Sequence, residues 1–417
     1  MRTDKLGNLA EFRNGLNYTD ADNGSGLAVV GVSDFKDKVV IDTDNLPQLS
    51  LSALSKPDAL IQERDILFVR SNGNRELIGR SVYVNKEPAM PTSHSGFTIR
   101  CRFQDRRCHP RYYAYLFRGS IIRQTLSAQG GGTNISNLNQ QILAELDVPV
   151  PDFFVQRRIA DILSAYDDLI EVNQRRIGIL EDMTRRLFDE WFVRFRYPGH
   201  GAVPLVATEL GMVPEGWFIV RAEEIIDFDP RTKVPKEGFK RFVPMGSLDT
   251  VSSVISGWET RSGNSGSKFQ SGDTLFARIT PCLENGKTGL VNFLEGGEAA
   301  LGSTEFTVMR GKNVSSSFVY LLARSEAFRA IAIKSMGGAD GRQRVRTEAL
   351  KAYEIACPPS ELLTRFASVT DRLLRQVRIL ADQNARLRAA RDLLLPKLIS
   401  GEIDVSAAEE TFAEAAE

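Results

Sequence analysis

The sequence predicts an α+β chain: two similar mixed α/β domains, separated and joined by two long helices that form an antiparallel coiled coil, with a pseudo-two-fold internal repeat. Three observations predict it. Short motifs recur about 207 residues apart, each half passes from strand-like to helix-like sequence, and both helical stretches carry a heptad.

The repeat comes first, because it organises the rest. Glu63-Arg64-Asp65-Ile66-Leu67-Phe68-Val69-Arg70 aligns with Ser271-Gly272-Asp273-Thr274-Leu275-Phe276-Ala277-Arg278. Leu126-Ser127-Ala128-Gln129-Gly130-Gly131 aligns with Ile333-Lys334-Ser335-Met336-Gly337-Gly338, and Val148-Pro149-Val150-Pro151 with Ile355-Ala356-Cys357-Pro358. Three matches in order, at offsets of 207 to 208 residues, mark a duplication.

Within each half, turn residues separate short apolar runs such as Asp65-Ile66-Leu67-Phe68-Val69 and Ser81-Val82-Tyr83-Val84, which read as strands. A helical pair interrupts them, at Arg111 to Gln129 in the first half and Ser317 to Met336 in the second. Prolines at Pro149 and Pro151, or Pro358 and Pro359, end the globular part, and a long helix follows.

The a and d positions of the first helix are assigned to Ile159, Ile162, Tyr166, Leu169, Asn173, Arg176, Leu180, Met183 and Leu187. Adding 207 gives Phe366, Val369, Leu373, Gln376, Leu380, Gln383, Leu387, Ala390 and Leu394 in the second. The apolar members form the expected coiled-coil core, while Asn173, Arg176, Gln376 and Gln383 would favour one register and partner over a generic seam. The bland alternative is two unpaired amphipathic helices, each on its own domain. The narrow apolar stripe and densely charged opposite face favour pairing. From Phe153 to Phe195 a continuous helix would run roughly 60 Å at 1.5 Å per residue, about two turns of B-DNA.

With 417 residues, 42% hydrophobic and 25% charged, the chain can bury more than one core. No run approaches the ~18 apolar residues of a membrane span, and Met1-Arg2-Thr3-Asp4-Lys5 does not begin an apolar secretory signal. Cys101, Cys108, Cys282 and Cys357 make no disulfide framework at this length, so a cytoplasmic location is expected. The 53 basic and 53 acidic residues cancel but are segregated. Arg100 to Arg123 carries seven arginines against the single acid Asp105, Arg324 to Lys351 seven bases against three acids, and Gly401 to Glu417 six acids and no base. Only certain faces are therefore suited to phosphate.

The order head, helix, head, helix resembles the specificity subunit of type I restriction-modification systems. Glu209-Leu210-Gly211-Met212-Val213-Pro214-Glu215-Gly216-Trp217 looks like that family's entry into its second target recognition domain. Pro149-Val150-Pro151 followed by Gln156 and a basic helix looks like its first conserved region. Leu363 stands where the first half has Gln156, so the second helix is expected to leave its head differently. The resemblance implies target recognition domains at 1–152 and 217–360, spacer helices at 153–196 and 361–400, a linker at 197–216 and an acidic tail at 401–417. It further implies that each domain reads one half of a split, asymmetric target in double-stranded DNA. The helices would fix the unread gap and dock two methyltransferase subunits, which restriction subunits could join. S-adenosylmethionine would sit in those partners, with no cofactor in this chain.

Catalytic motifs are missing from the sequence. The Asn/Asp-Pro-Pro-aromatic loop of an adenine methyltransferase does not occur, and Cys357-Pro358-Pro359-Ser360 lacks both the amide and the ring. Gly286-Lys287-Thr288 ends like a phosphate-binding loop, but Pro281 occupies the first glycine position. Cys101, Cys108 and His109 make a poor zinc set, and three histidines (His94, His109, His200) leave little room for a triad. The chain is thus expected to be a non-catalytic subunit. A coiled-coil scaffold without sequence-specific DNA binding is the alternative from another class.

Base reading needs Arg for guanine and Asn or Gln for adenine, on loops that approach the duplex closely. In the first head the candidates are Arg70, Asn72 and Arg75, with Gln129, Gly131, Thr133 and Asn134. In the second they are Arg278 and Lys287, with Lys334, Arg342, Gln343, Arg344 and Arg346. Recurrence at equivalent positions sets them above ordinary glycine turns and solvated arginines. Tyr112, Tyr113, Tyr115 and Phe117 are expected to pack a helix onto the sheet. Arg157, Arg158, Arg175, Arg176, Arg372, Arg375 and Arg378 are expected to be solvated or to face either DNA phosphates or the methyltransferase, which the sequence does not separate.

Overall fold

A computed structural model describes residues 2–35, 39–54, 57–74, 77–129, 138–338 and 343–405. Its contacts divide into two units: residues 1–170 with 386–417, and residues 171–385. Each unit holds one globular head and a segment of both long helices.

In the first unit the strands are β1 (Thr3–Lys5), β2 (Ala10–Asn14), β3 (Gly26–Val30), β4 (Gln48–Ser50), β5 (Ile66–Val69), β6 (Ser81–Tyr83), β7 (Thr92–His94), β8 (Thr98–Phe103) and β9 (Asp147–Pro149). The helices are α1 (Leu6–Leu9), α2 (Pro110–Leu116), α3 (Ser120–Gln129), α4 (Gln140–Ala144) and the start of α5 (Phe153–Phe188). An antiparallel sheet of order β2-β8-β5-β6 lies beside a second sheet, β4-β3-β7, in which β3 and β7 run parallel. Every residue of β5 is buried, as expected of an apolar run without alternation. The aromatics of α2 and of its C-cap, Phe117, pack on the sheet as the sequence suggested: Tyr112, Tyr113, Tyr115 and Phe117 are buried, with the Phe117 ring 5.0 Å from that of Phe68. β1 and β9 pair to bring the head's two ends together.

The second unit begins within α5, which ends in a π-helical turn, Asp189–Val193. Its strands are β10 (Leu205–Thr208), β11 (Gly211–Pro214), β12 (Phe218–Arg221), β13 (Ile226–Phe228), β14 (Lys240–Val243), β15 (Glu259–Arg261), β16 (Ser267–Gln270), β17 (Thr274–Ala277), β18 (Thr288–Leu290), β19 (Ala299–Gly302), β20 (Phe306–Gly311) and β21 (Glu354–Cys357). The helices are α6 (Ala222–Ile225), α7 (Ser316–Arg324), α8 (Glu326–Lys334), α9 (Thr347–Lys351) and α10 (Ser360–Ser400), the last also serving the first unit. The sheets β13-β20-β17-β18 and β15-β14-β19-β16 repeat the first head's order, with one added edge strand, and β14 and β19 again run parallel. β12 and β21 repeat the closing pair.

The duplication extends to single atoms. Asp65 is fully buried and takes two hydrogen bonds of 2.7 Å from Arg102 Nε and Nη2, plus one from the Gln62 N–H at 2.8 Å. Asp273, 208 positions on, takes the same from Arg310 (2.6 and 2.7 Å) and the Gln270 N–H (2.8 Å). The residue before each aspartate has positive φ, 75° at Arg64 and 91° at Gly272. Glycine adopts that geometry freely, whereas Arg64 is held there, its N–H donating to the Val84 carbonyl.

The helices pair antiparallel within each unit. In the first, Ile159 and Leu163 share a core with Leu395 and Leu398, and Arg391 forms an ion pair with Asp167. In the second, Phe188 and Trp191 pack with Phe366, while Asn173 bonds Asn384. The seam differs in phase from the heptad read in the sequence. Ile159, Phe366 and Leu380 are buried in it, and Ile162, Tyr166, Leu180, Leu187, Leu373, Leu387 and Leu394 are half-buried. Leu169 and Val369 are exposed and lie outside it. The buried neighbours fall one residue later, at Leu163, Ile170 and Thr184 on α5 and at Thr370, Val377 and Asn384 on α10. The step after Ile159 or Phe366 is therefore four residues where three was assigned. Arg176, Met183 and Gln383 are correspondingly exposed.

The two helices leave their heads differently. Gln156 is fully buried; its Nε2 donates to the carbonyls of Arg107 and Pro151, and its Oε1 accepts the His109 N–H, all at 2.8 Å. Leu363 instead packs against the second head's apolar core. A satisfied amide and a hydrocarbon thus serve as alternative anchors. Among the described residues no helix is long and apolar enough to cross a membrane.

Candidate nucleic-acid interface

In each head one backbone hydrogen bond ties the residue that ends a central strand to the described chain at or just after the second nominated segment. In the first head the Leu138 N–H donates to the Arg70 carbonyl at 2.9 Å, so the chain leaving the glycine-rich segment is tied to the end of β5. In the second head the Val345 N–H donates to the Arg278 carbonyl, also at 2.9 Å, and the Thr280 N–H donates to the Gln343 carbonyl at 3.1 Å. Arg344 and Gly337 exchange a further pair of backbone bonds, 3.0 and 3.1 Å.

Side chains around these anchors are held to different degrees. The Arg70 guanidinium reaches the Gly96 carbonyl at 3.4 Å. Asn72 Oδ1 accepts the Asn74 N–H at 2.8 Å, an Asx turn that shapes the loop. Arg278 is half-buried and lines a cavity of about 480 Å³ with Asp229, Arg231, Lys268 and Thr304. Gln343 is half-buried, and Lys334 and Arg346 are exposed. Lys287 turns inward, its Nζ 3.2 Å from the Met245 carbonyl, so it braces a neighbouring loop. Arg344 forms a two-pronged ion pair with Glu305. That pairing pushes the Glu305 carboxyl below its ordinary range. Arg75, Gly131, Thr133, Asn134 and Arg342 lie outside the described residues, as does the side chain of Gln129, the last residue of α3.

Cys101 is buried in β8, where burial pushes its thiol well up, and Cys108 Sγ lies 3.6 Å from the Tyr113 hydroxyl. Both serve the core of the first head.

Sequence reasoning missed Arg231, Lys268, Phe97 and Glu305. The last two share the 208-residue offset that relates Arg70 to Arg278. The Phe97 carbonyl accepts the Arg70 N–H at 2.8 Å, and the Glu305 carbonyl accepts the Arg278 N–H at 3.0 Å. Carrying the repeat through the β7–β8 turn would have found them.

The family model described as the type I restriction modification DNA specificity domain matches residues 4–181. Two Methanocaldococcus jannaschii proteins are similar along most of their length. The type I restriction enzyme MjaIX specificity subunit is 24% identical over 305 residues, 70% of this chain and 69% of the relative. The MjaVIII specificity subunit is 21% identical and covers 84% and 82%. Over most of its length the chain is thus similar to type I restriction specificity subunits. The specificity subunit EcoEI of Escherichia coli is 28% identical over 207 residues, 48% of this chain and 34% of its own. The fold agrees with the crystal structure of a type I restriction-modification S subunit from M. genitalium, at TM-score 0.54, 12% identity and 95% coverage of both chains.

Proposed function

We propose that this chain is a type I restriction specificity subunit that reads double-stranded DNA, one half of an asymmetric bipartite target with each head. The observation that carries this reading is the shared backbone anchor, Leu138 on Arg70 and Val345 on Arg278, which recurs at equivalent positions of the two heads. Loops fixed by main-chain bonds can vary their side chains without refolding, which suits a reader of base edges.

The helix pair sets the interval between the half-targets and docks two methyltransferase subunits. In the second unit α5 leaves Val172, Ile179 and Met183 exposed at spacings of 7 and 4 residues, an apolar stripe to one side of the seam with α10. Such a stripe supports helix-to-helix docking. The chain is non-catalytic and acts in the cytoplasm. S-adenosylmethionine binds in the methyltransferase partners, and restriction subunits join that core.

The test is to co-express the chain with its methyltransferase and map methylated sites by long-read sequencing. Replacing residues 129–137 is expected to alter the first half of one bipartite motif and to leave the second half intact. Simultaneous change in both halves would refute the modular reading.

A further inference from the structure

We propose that the turn position held by Phe97 in the first head and Glu305 in the second determines sequence specificity. Phe97 meets the methyl edge of an A·T pair, and Glu305 holds Arg344 toward a G·C pair. This rests on the DNA-reading function.

The backbone is the same in both heads, and the chemistry differs. Phe97 and Glu305 each accept, through the carbonyl, the N–H of the arginine that ends the adjacent strand. Phe97 is 63% exposed although its turn is closely packed. A Cβ on Gly15 would lie 2.1 Å from the His94 carbonyl, and one on Gly96 would lie 2.0 Å from Asn17 Oδ1. Buried His94 Nδ1 lies 2.8 Å from Thr98 Oγ1, and the Thr98 hydroxyl donates to the Ser95 carbonyl at 2.7 Å. The ring is therefore presented beside Arg70 on a fixed support. An apolar side chain in a DNA groove reads the thymine methyl.

Glu305 occupies the same place with opposite character. Its carboxylate accepts from Arg344 Nε at 2.8 Å and from Nη2 at 2.6 Å. Those two bonds leave Nη1 and the second Nη2 hydrogen on the far end of the guanidinium. This end-on pair of donors matches guanine O6 and N7. The carboxylate thus fixes the plane of an arginine that is half exposed, so Glu305 is a positioning residue.

The test uses the chain assembled with its methyltransferase subunits, and selection from randomised duplex DNA. The variants are Phe97→Ala, Phe97→Leu, Glu305→Gln and Arg344→Lys. Phe97→Ala should lower preference at one A·T position of one half-site by about tenfold, and Phe97→Leu should retain more of it. Glu305→Gln and Arg344→Lys should relax one and the same G·C position of the other half-site. Selection of an unchanged motif by all four variants would overturn the proposal and leave DNA reading intact. Loss of a whole half-site with both Phe97 variants would show a structural role and also overturn it. A wild-type complex without sequence preference would overturn both readings.

Discussion

Asn173 donates from Nδ2 to the Oδ1 of Asn384 at 3.0 Å, with both amides buried in the helix pair of the second unit. A buried amide pair tolerates one alignment of the two helices, because a slipped register would strand both groups among hydrocarbon. Asn173→Leu alone is expected to cost about 1–3 kcal/mol, since Asn384 loses this donor. The double variant with Asn384→Leu should recover much of that loss while broadening the register. Urea unfolding of the four proteins of the cycle measures the coupling; strictly additive losses would count against it.

The buried Asp65–Arg102 and Asp273–Arg310 pairs make a second prediction. Removing one member leaves an uncompensated charge, at a cost of about 3–5 kcal/mol. Asp65→Ala and Asp273→Ala should therefore lower the denaturation midpoint by similar amounts, because the two clamps share geometry. A large effect at one site only would show that the heads have drifted apart energetically.

His94 sets a pH dependence. It is fully buried, and burial with the nearby Arg100 and Arg102 lowers its pKa to about 3. The unfolded chain takes up the proton first as pH falls. The contribution of His94 is thus fully present above about pH 6.5 and is lost toward about 3, by roughly 1.4 kcal/mol per unit. His94→Asn keeps a hydrogen-bonding atom near Thr98 and should flatten stability across that window. Parallel unfolding curves for variant and wild type at pH 7 and pH 5 would contradict this.

The exposed stripe on α5 predicts an assembly defect without a folding defect. Ile179→Glu and Met183→Glu change solvent-facing positions, so stability should move by no more than about 0.5 kcal/mol. Binding of the methyltransferase subunits, followed by calorimetry or analytical ultracentrifugation, should weaken at least tenfold. Undiminished assembly would exclude this face as the docking surface.

Lys334 and Arg346 are exposed beside the second head's anchor. If each meets a phosphate, Lys334→Gln and Arg346→Gln should each reduce the slope of log affinity against log salt by about 1. They should weaken all DNA sequences alike. Loss of affinity without change in slope would place them outside the phosphate contacts.

The architecture was legible in the sequence because duplication leaves a constant offset and because buried strands and long helices have distinct periods. The phase of the seam was not. Leu169, Val172, Ile179 and Met183 form a second apolar series on α5, with nearly the same period as the seam itself. Periodicity cannot separate two stripes on one helix, so Leu169, and Val369 by translation, were placed inside. In the heads, loop composition pointed to Arg70, Arg278 and Gln343 and their neighbours. It did not disclose that Arg344 is committed to Glu305 or that Lys287 turns inward, because both depend on residues brought close by folding.

The fastening of each loop by amide and carbonyl groups has an evolutionary consequence. Main-chain bonds are indifferent to side-chain identity, so on the proposed function substitutions confined to the polar segments next to Leu138 and Val345 can retarget one head while its attachment persists. New recognition sequences can then arise in one half at a time, with the helical partner surface and the other half inherited unchanged.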